Sequence, residues 1–175
     1  MAVREILLLG HPLLRKKCGR VADWSERTLR KTIVDLRDTL SHVRSSKGFG
    51  RGIAAPQIGV TKQIIFLHID MPMVLLNPRI VSKSRKTMLL WDDCFSFPDI
   101  MVKVRRHLGI VVAYQDEHGK KKSLGAEGGL SELLQHEIDH LGGVLAIDRA
   151  IDSKHIILRS EWNKIARAEH NSHQL

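Results

Sequence analysis

Residues 136–140 read His-Glu-Ile-Asp-His, and this pentapeptide constrains the fold more than any other stretch of the chain. Two histidines four residues apart share a face when the segment is helical, one imidazole above the other, so both can ligate one metal ion. The glutamate between them then projects near enough to act as a base on a water held by that metal. The flanks agree with a helix: Leu130, Leu133, Leu134 and Leu141 recur at helical spacings, and Gly142-Gly143 supplies a stop. The competing reading is a half-buried amphipathic helix whose histidines merely hydrogen-bond.

At 175 residues the chain is most simply one domain, 1–175, large enough to bury a core behind a cleft. Its 43% hydrophobic and 27% charged content is ordinary for a soluble globular protein. Apolar runs such as Ile6–Leu9 and Ile64–Leu67 are too short to span a bilayer, so no membrane association is expected. The opening Met-Ala-Val-Arg-Glu is not followed by a long apolar core and a small-residue cleavage site, so no secretion signal is expected. Two cysteines, Cys18 and Cys94, make no disulfide framework, and a reducing cytoplasm is the simpler setting. The net charge of +9 suits either a solvated surface or long-range attraction to a polyanion such as ribosomal RNA. No aromatic-rich basic stripe or zinc-knuckle spacing is present, so sequence-specific nucleic-acid binding is not expected.

Residues 25–44 predict an amphipathic helix, with Leu29, Ile33, Leu36, Leu40 and Val43 at intervals of three and four. Ser45 to Gly52 breaks it. Gln63–Ile69, Val74–Asn77 and Ile80–Ser82 suit strands. Gly109–Tyr114 and Lys120–Leu124 flank Gln-Asp-Glu-His-Gly as a hairpin. After the histidine helix, Ser153–His170 predicts a final basic helix with Ile157, Leu158, Trp162 and Ile165 on its apolar side. Helices at the ends and antiparallel strands between them indicate an α+β domain, its sheets around a central metal-binding helix.

A catalytic metal site usually takes three protein ligands and keeps one position open. The pattern HExxHxxGxxH finds its glycine at Gly143 but has Ala146 where the third histidine belongs. A glutamate about 20 residues downstream would be Glu161, which sits singly in the basic tail. Cys94 remains, in Trp91-Asp92-Asp93-Cys94-Phe95-Ser96-Phe97-Pro98. A lone cysteine is often just a small buried hydrophobe, but this one follows a strand-like run, Met88 to Trp91, where a strand end would open onto a cleft. A thiolate with two imidazoles suits Fe²⁺, Zn²⁺, Ni²⁺ or Co²⁺. Cys18 receives no role.

Three motifs in order make the chain resemble the peptide deformylases over nearly its whole length. They are Gly50-Arg51-Gly52-Ile53-Ala54-Ala55-Pro56-Gln57, Asp92-Asp93-Cys94-Phe95-Ser96, and Gln135-His136-Glu137-Ile138-Asp139-His140-Leu141. The segment from Gly10 to Lys17 is also similar to the family's opening. The resemblance implies Cys94, His136 and His140 as metal ligands, Fe²⁺ as the native ion, and Glu137 as general acid/base. It implies the Gln57 side chain and the Phe95 amide as oxyanion donors, and removal of the N-formyl group from N-terminal methionine of nascent polypeptides. Gly50 and Gly52 would admit an extended peptide, and Asp139 would pair with Arg106, or else with Arg105. Ile53 and Leu133 are candidate walls of the methionine pocket, with plain core packing as the alternative for either.

The second motif departs from the family's usual Glu-Gly-Cys-Leu-Ser. Asp93 in place of glycine adds a Cβ and a charge where substrate should pass, with strain if its φ is positive. Phe95 replaces leucine, a change that leaves its backbone available. Arg51, where Val or Ile is common, puts a cation at the cleft mouth. These residues keep open a hydrolase for a different N-acyl group, and a silent relative that binds nascent chains or ribosomes. A peptidase using the same metal and base is a further reading.

Overall fold

The computed structural model describes residues 3–22 and 27–172, with side chains to Ala166. Helix α1 (Arg27–Lys47) is followed by strands β1 (Gly52–Ala54), β2 (Ile64–His68), β3 (Pro72–Lys83), β4 (Thr87–Asp93), β5 (Ile100–His107), β6 (Gly109–Gln115) and β7 (Lys121–Glu127). Helix α2 (Gly128–Leu141), strand β8 (Ile156–Leu158) and helix α3 (Arg159–Ser172) complete the order, with short 3-10 turns between. The strands form a five-stranded sheet, β1-β2-β3-β6-β7, and a three-stranded one, β4-β5-β8. Every pairing within them is antiparallel. Helix α2 packs against β1 and β7 of the first sheet and β5 of the second. The architecture is α+β, as the element pattern predicts.

Period-two alternation in β2 builds the two sides of the larger sheet. Ile65 and Leu67 join Leu133, Leu134 and Leu141 of α2. Ile64 and Phe66 face the other way and meet Leu29, Leu36 and Leu40 of α1. Burying each such side chain contributes about 1.5–3 kcal/mol, so these two layers hold α2 in place. A third cluster, with Leu14, Cys94, Val102, Val104 and Leu145, lies on the smaller sheet.

The stripe predicted for the first helix is present, with Leu29, Leu36, Leu40 and Val43 buried. The helix begins within the described residues at Arg27, and Ser25 lies outside them. The two expected strands 74–77 and 80–82 are one long strand, β3, with a register shift between Leu76 and Arg79. Pro78 cannot donate to a ladder. Buried Asn77, at φ 50°, exchanges hydrogen bonds with the backbone of Val21 and donates to Gln115.

The expected helix over 153–170 is divided. Ser153–His155 is a 3-10 turn, and Ile157 and Leu158 pair with Met101 and Ile100 on the edge of β5. The run Ile-Ile-Leu favours extended backbone when an unpaired strand edge is available, so the helix starts only at Arg159.

Candidate metal centre and active site

The ligand candidates come from two elements that the sheets bring face to face. His136 and His140 are buried on α2, one turn apart, and Cys94 follows the last residue of β4. Cys94 Sγ lies 3.3 Å from His140 Nε2, which is 3.2 Å from His136 Nε2. One ligand atom from each of the three falls within 4.8 Å of the others. A tetrahedral ion with bonds of about 2.0–2.3 Å holds its ligand atoms roughly 3.3–3.6 Å apart, so this donor set fits a small divalent metal. The Ser96 amide donates to Cys94 Sγ at 3.4 Å, which orients the sulfur.

Behind the histidines runs a buried polar chain. His136 Nδ1 is 2.8 Å from Asp92 Oδ1, so with the ring proton placed there, Nε2 is left free to ligate. Asp92 Oδ2 accepts from Arg106 at 3.0 Å, and Arg106 also donates to Asp139. Asp139 in turn accepts from Arg149 at 2.8 Å. Burial would raise the Asp92 carboxyl, but His136 and Arg106 hold it at about 2. The pairing of Asp139 with Arg106 follows the sequence expectation. Arg105 instead bonds Thr87, and Glu161 pairs with Lys164 on α3 rather than approaching the site.

Glu137 is buried beside this group, its Oε2 without a hydrogen-bond partner among the described residues. Burial lifts its carboxyl from the ordinary 4.5 to about 7, with the nearby Glu132 carboxylate adding to the shift despite opposition from His136. A carboxyl poised near neutrality can take and return a proton. Gln57 sits in the 3-10 turn Ala55–Ile58, oriented by its Oε1, which accepts from the Ala54 amide at 2.9 Å. Its Nε2 is thereby aimed at the centre, 3.6 Å from Cys94 Sγ. Phe95 follows Cys94, and its ring lies 5.9 Å from that of Phe49.

These groups line a cleft of about 500 Å³ that also includes Gly50, Arg51, Asp93, Leu133 and Arg159. Gly50 and Gly52 face protein rather than empty space. A Cβ on Gly50, whose φ is +130°, would stand 2.7 Å from the Phe95 ring, and one on Gly52 would stand 2.9 Å from Glu137 Oε1. Ile53 is not a cleft wall. Alternation in β1 turns it away from Glu137 into the cluster under α1, where it is fully buried.

Asp93 is in the cleft lining without the feared strain, since Asn77 alone among the described non-glycine residues has positive φ. Its carboxylate accepts from Arg159 at 2.7 Å. Arg159 also donates to the Pro98 carbonyl and lies 5.2 Å from the centre of the Phe49 ring. Arg51 lines the cleft as expected, held by Glu132 at 2.7 Å and by the Gly129 carbonyl at 3.1 Å.

Sequence reasoning overlooked Asp92, Glu132, Arg149 and Arg159 in these arrangements. Two were within reach of simple periodicity. Leu90, Asp92 and Cys94 alternate along one strand, and Glu132 is four residues before His136 on one helix face.

An α+β fold with a Cys-His-His set able to hold a metal ion, and a buried carboxylate on the helix that carries the histidines, fits the class of metal-dependent hydrolases. The polypeptide deformylase family model matches residues 3–155. The peptide deformylase of Thermotoga maritima is 36% identical over 164 residues, covering 93% of this chain and 96% of the relative. That of Picosynechococcus is 40% identical over 153 residues, covering 83% and 78%. The crystal structure of a peptide deformylase from Legionella pneumophila superposes with a TM-score of 0.81 at 31% identity, covering 99% of both chains. This chain belongs to the polypeptide deformylase family.

Proposed function

We propose that this protein removes the N-formyl group from the N-terminus of nascent polypeptides, formylmethionine being the substrate the family resemblance implies. One observation carries the reading. A buried carboxyl held near neutrality, Glu137, and an oriented amide, Gln57, flank the same cysteine–histidine group. A silent binding protein has no chemical use for that combination.

Cys94, His136 and His140 would hold a divalent ion, Fe²⁺ natively or Zn²⁺, Ni²⁺ or Co²⁺ in its place, which would supply Lewis acidity for the formyl carbonyl and for a water. The remaining work falls to the chain. Glu137 accepts the proton of the attacking water and delivers it to the departing amine nitrogen. The Gln57 Nε2–H and the Phe95 amide N–H donate to the acyl oxygen as negative charge develops there, each such donor contributing about 3 kcal/mol. Asp92 fixes the His136 ring and Arg106 fixes Asp92.

Residues 1–175 act in this reading as one catalytic domain, since ligands, base and oxyanion donors come from α2, the end of β4 and the turn after β1. Among the described residues no helix is long and apolar enough to cross a membrane. The charge of +9 supports a cytoplasmic enzyme drawn toward the ribosome, where its substrate emerges.

The deciding experiment is anaerobic turnover of formyl-Met-Ala-Ser beside acetyl-Met-Ala-Ser by protein loaded with Fe²⁺ or Ni²⁺. Formate released from the first and nothing from the second establishes the deformylase. Acetate release assigns a broader acyl specificity, and no release with metal bound stoichiometrically overturns the reading.

A further inference from the structure

The wall of the cleft nearest the reacting amide is an ion pair. Glu132 stands four residues before His136 on the same face of α2, and its carboxylate falls within 4.8 Å of ligand atoms of both Asp92 and His136. It is 7% exposed, and Arg51 caps it at 2.7 Å from the end of the loop that enters β1. Arg51 is held a second time through the Gly129 carbonyl, while its side chain, 49% exposed, is part of the cleft lining. The pair is therefore anchored at two points, close to the candidate metal ligands and partly accessible.

Its position relative to a substrate follows from the proposed chemistry, and the inference rests on that reading. The acyl oxygen turns toward Gln57 and the Phe95 amide. The leaving nitrogen then faces Glu137, which must protonate it. Gly52 is the backbone neighbour of Glu137, with its absent Cβ 2.9 Å from Oε1, and Arg51 directly precedes Gly52. Glu132 and Leu133 lie about one helical turn from His136 on the same wall. The carbon attached to the leaving nitrogen carries the first side chain of the peptide, and in this orientation that side chain would be directed at the part of the cleft lined by Arg51, Glu132 and Leu133.

We propose that the Arg51–Glu132 pair is a specificity determinant that makes the pocket for the first side chain a polar one, matched to an uncharged group that both donates and accepts hydrogen bonds. A carboxamide fulfils this: its oxygen accepts from the guanidinium and its nitrogen donates to the carboxylate. A thioether can do neither, and seating it there shields charged groups from water without replacing their hydrogen bonds. An acidic side chain confronts Glu132 and a basic one confronts Arg51. Leu133 and the stem of Arg51 receive the aliphatic portion, so glutamine, close to methionine in length, is the natural occupant.

The test compares kcat/KM for formyl-Gln-Ala-Ser and formyl-Met-Ala-Ser on the metal-loaded protein, beside Arg51→Met/Glu132→Leu. A second readout is the dissociation constant of the unformylated products Gln-Ala-Ser and Met-Ala-Ser by calorimetry, which needs no turnover. In the wild type the glutamine peptide is used at least as well as the methionine peptide, and the ratio falls at least about tenfold in the double variant. The product affinities follow the same order. Methionine preferred tenfold or more by the wild type, or a ratio unmoved by the double substitution, overturns the proposal while leaving the deformylase intact. Formate from neither peptide overturns the deformylase reading, and the product affinities then decide the pocket by the same criteria. Should the double variant not fold, Arg51→Met alone supplies the comparison.

Discussion

Asp92 Oδ1 lies 2.8 Å from Nδ1 of His136, and both residues are buried. The carboxylate fixes the ring's orientation and tautomer, and raises the basicity of the nitrogen that faces Cys94 and His140. Asp92→Asn keeps the volume but weakens the acceptor. Metal affinity should fall by about 10–100-fold, the usual effect of losing such a support. Competition with a chelator of known affinity measures it, and unchanged affinity would remove Asp92 from the centre's construction.

Glu137→Gln should leave metal content intact and lower formate release by a factor on the order of 10²–10⁴. The glutamine is isosteric, so the pocket stays filled while the proposed proton carrier is gone. Metal analysis and single-turnover formate release, run on the same sample, separate the two roles. A variant that still turns over at the wild-type rate has another base.

The same carboxyl leaves a mark on folding that needs no substrate. In the metal-free protein, folded Glu137 holds its proton up to about 7, whereas the unfolded group releases it near 4.5. The folded state therefore binds more protons across that window. The stability tied to keeping Glu137 neutral is fully present below pH 4.5 and is lost as pH rises through 7. Relative to Glu137→Gln, metal-free wild type should lose about 3 kcal/mol over this range. Urea unfolding of both proteins at each end of the window gives the difference, and curves that shift in parallel contradict the raised carboxyl.

Gln57→Leu removes the oriented N–H donor and retains bulk. Its expected cost is about 10²–10³ in kcat with little change in KM, because the donor acts on charge that exists mainly in the transition state. An equal loss spread into KM would mean that Gln57 binds the ground-state carbonyl instead.

Much of this site was legible in spacing. The helix pattern around His136 and His140 fixes the face that points at Cys94, and the stripe from Leu29 to Val43 describes α1. What stayed hidden was polar burial. Strand β5 buries Met101, Val102, Val104 and Arg106, yet Lys103, Arg105, Arg106 and His107 make the segment read as a basic surface. Arg106 can be buried only because Asp92 and Asp139 arrive from two other elements, and no local pattern encodes that meeting. Ile53 failed for a simpler reason. A three-residue strand offers too short an alternation to tell which side faces the cleft, so its side was decided by α1 packing on the far face. The division of the C-terminal helix at Arg159 likewise depended on a free edge of β5 that only the assembled sheet provides.

Arg106 is the charge on which the polar chain depends, buried at 4% exposure between Asp92 and Asp139. Arg106→Met should destabilise the protein by about 3–5 kcal/mol, since it leaves buried carboxylates without their cation. Arg149 still serves Asp139, so the damage concentrates at Asp92. Adding Asp92→Leu removes the orphaned charge and should recover much of the stability, because a buried pair exchanged for apolar groups is often close to neutral. Metal affinity should not recover with it, as His136 then lacks the acceptor that orients its ring. Urea unfolding and chelator competition on the single and double variants read the two quantities separately. If metal affinity returned together with stability, the chain from His136 to Arg106 would be scaffolding for the fold and nothing more.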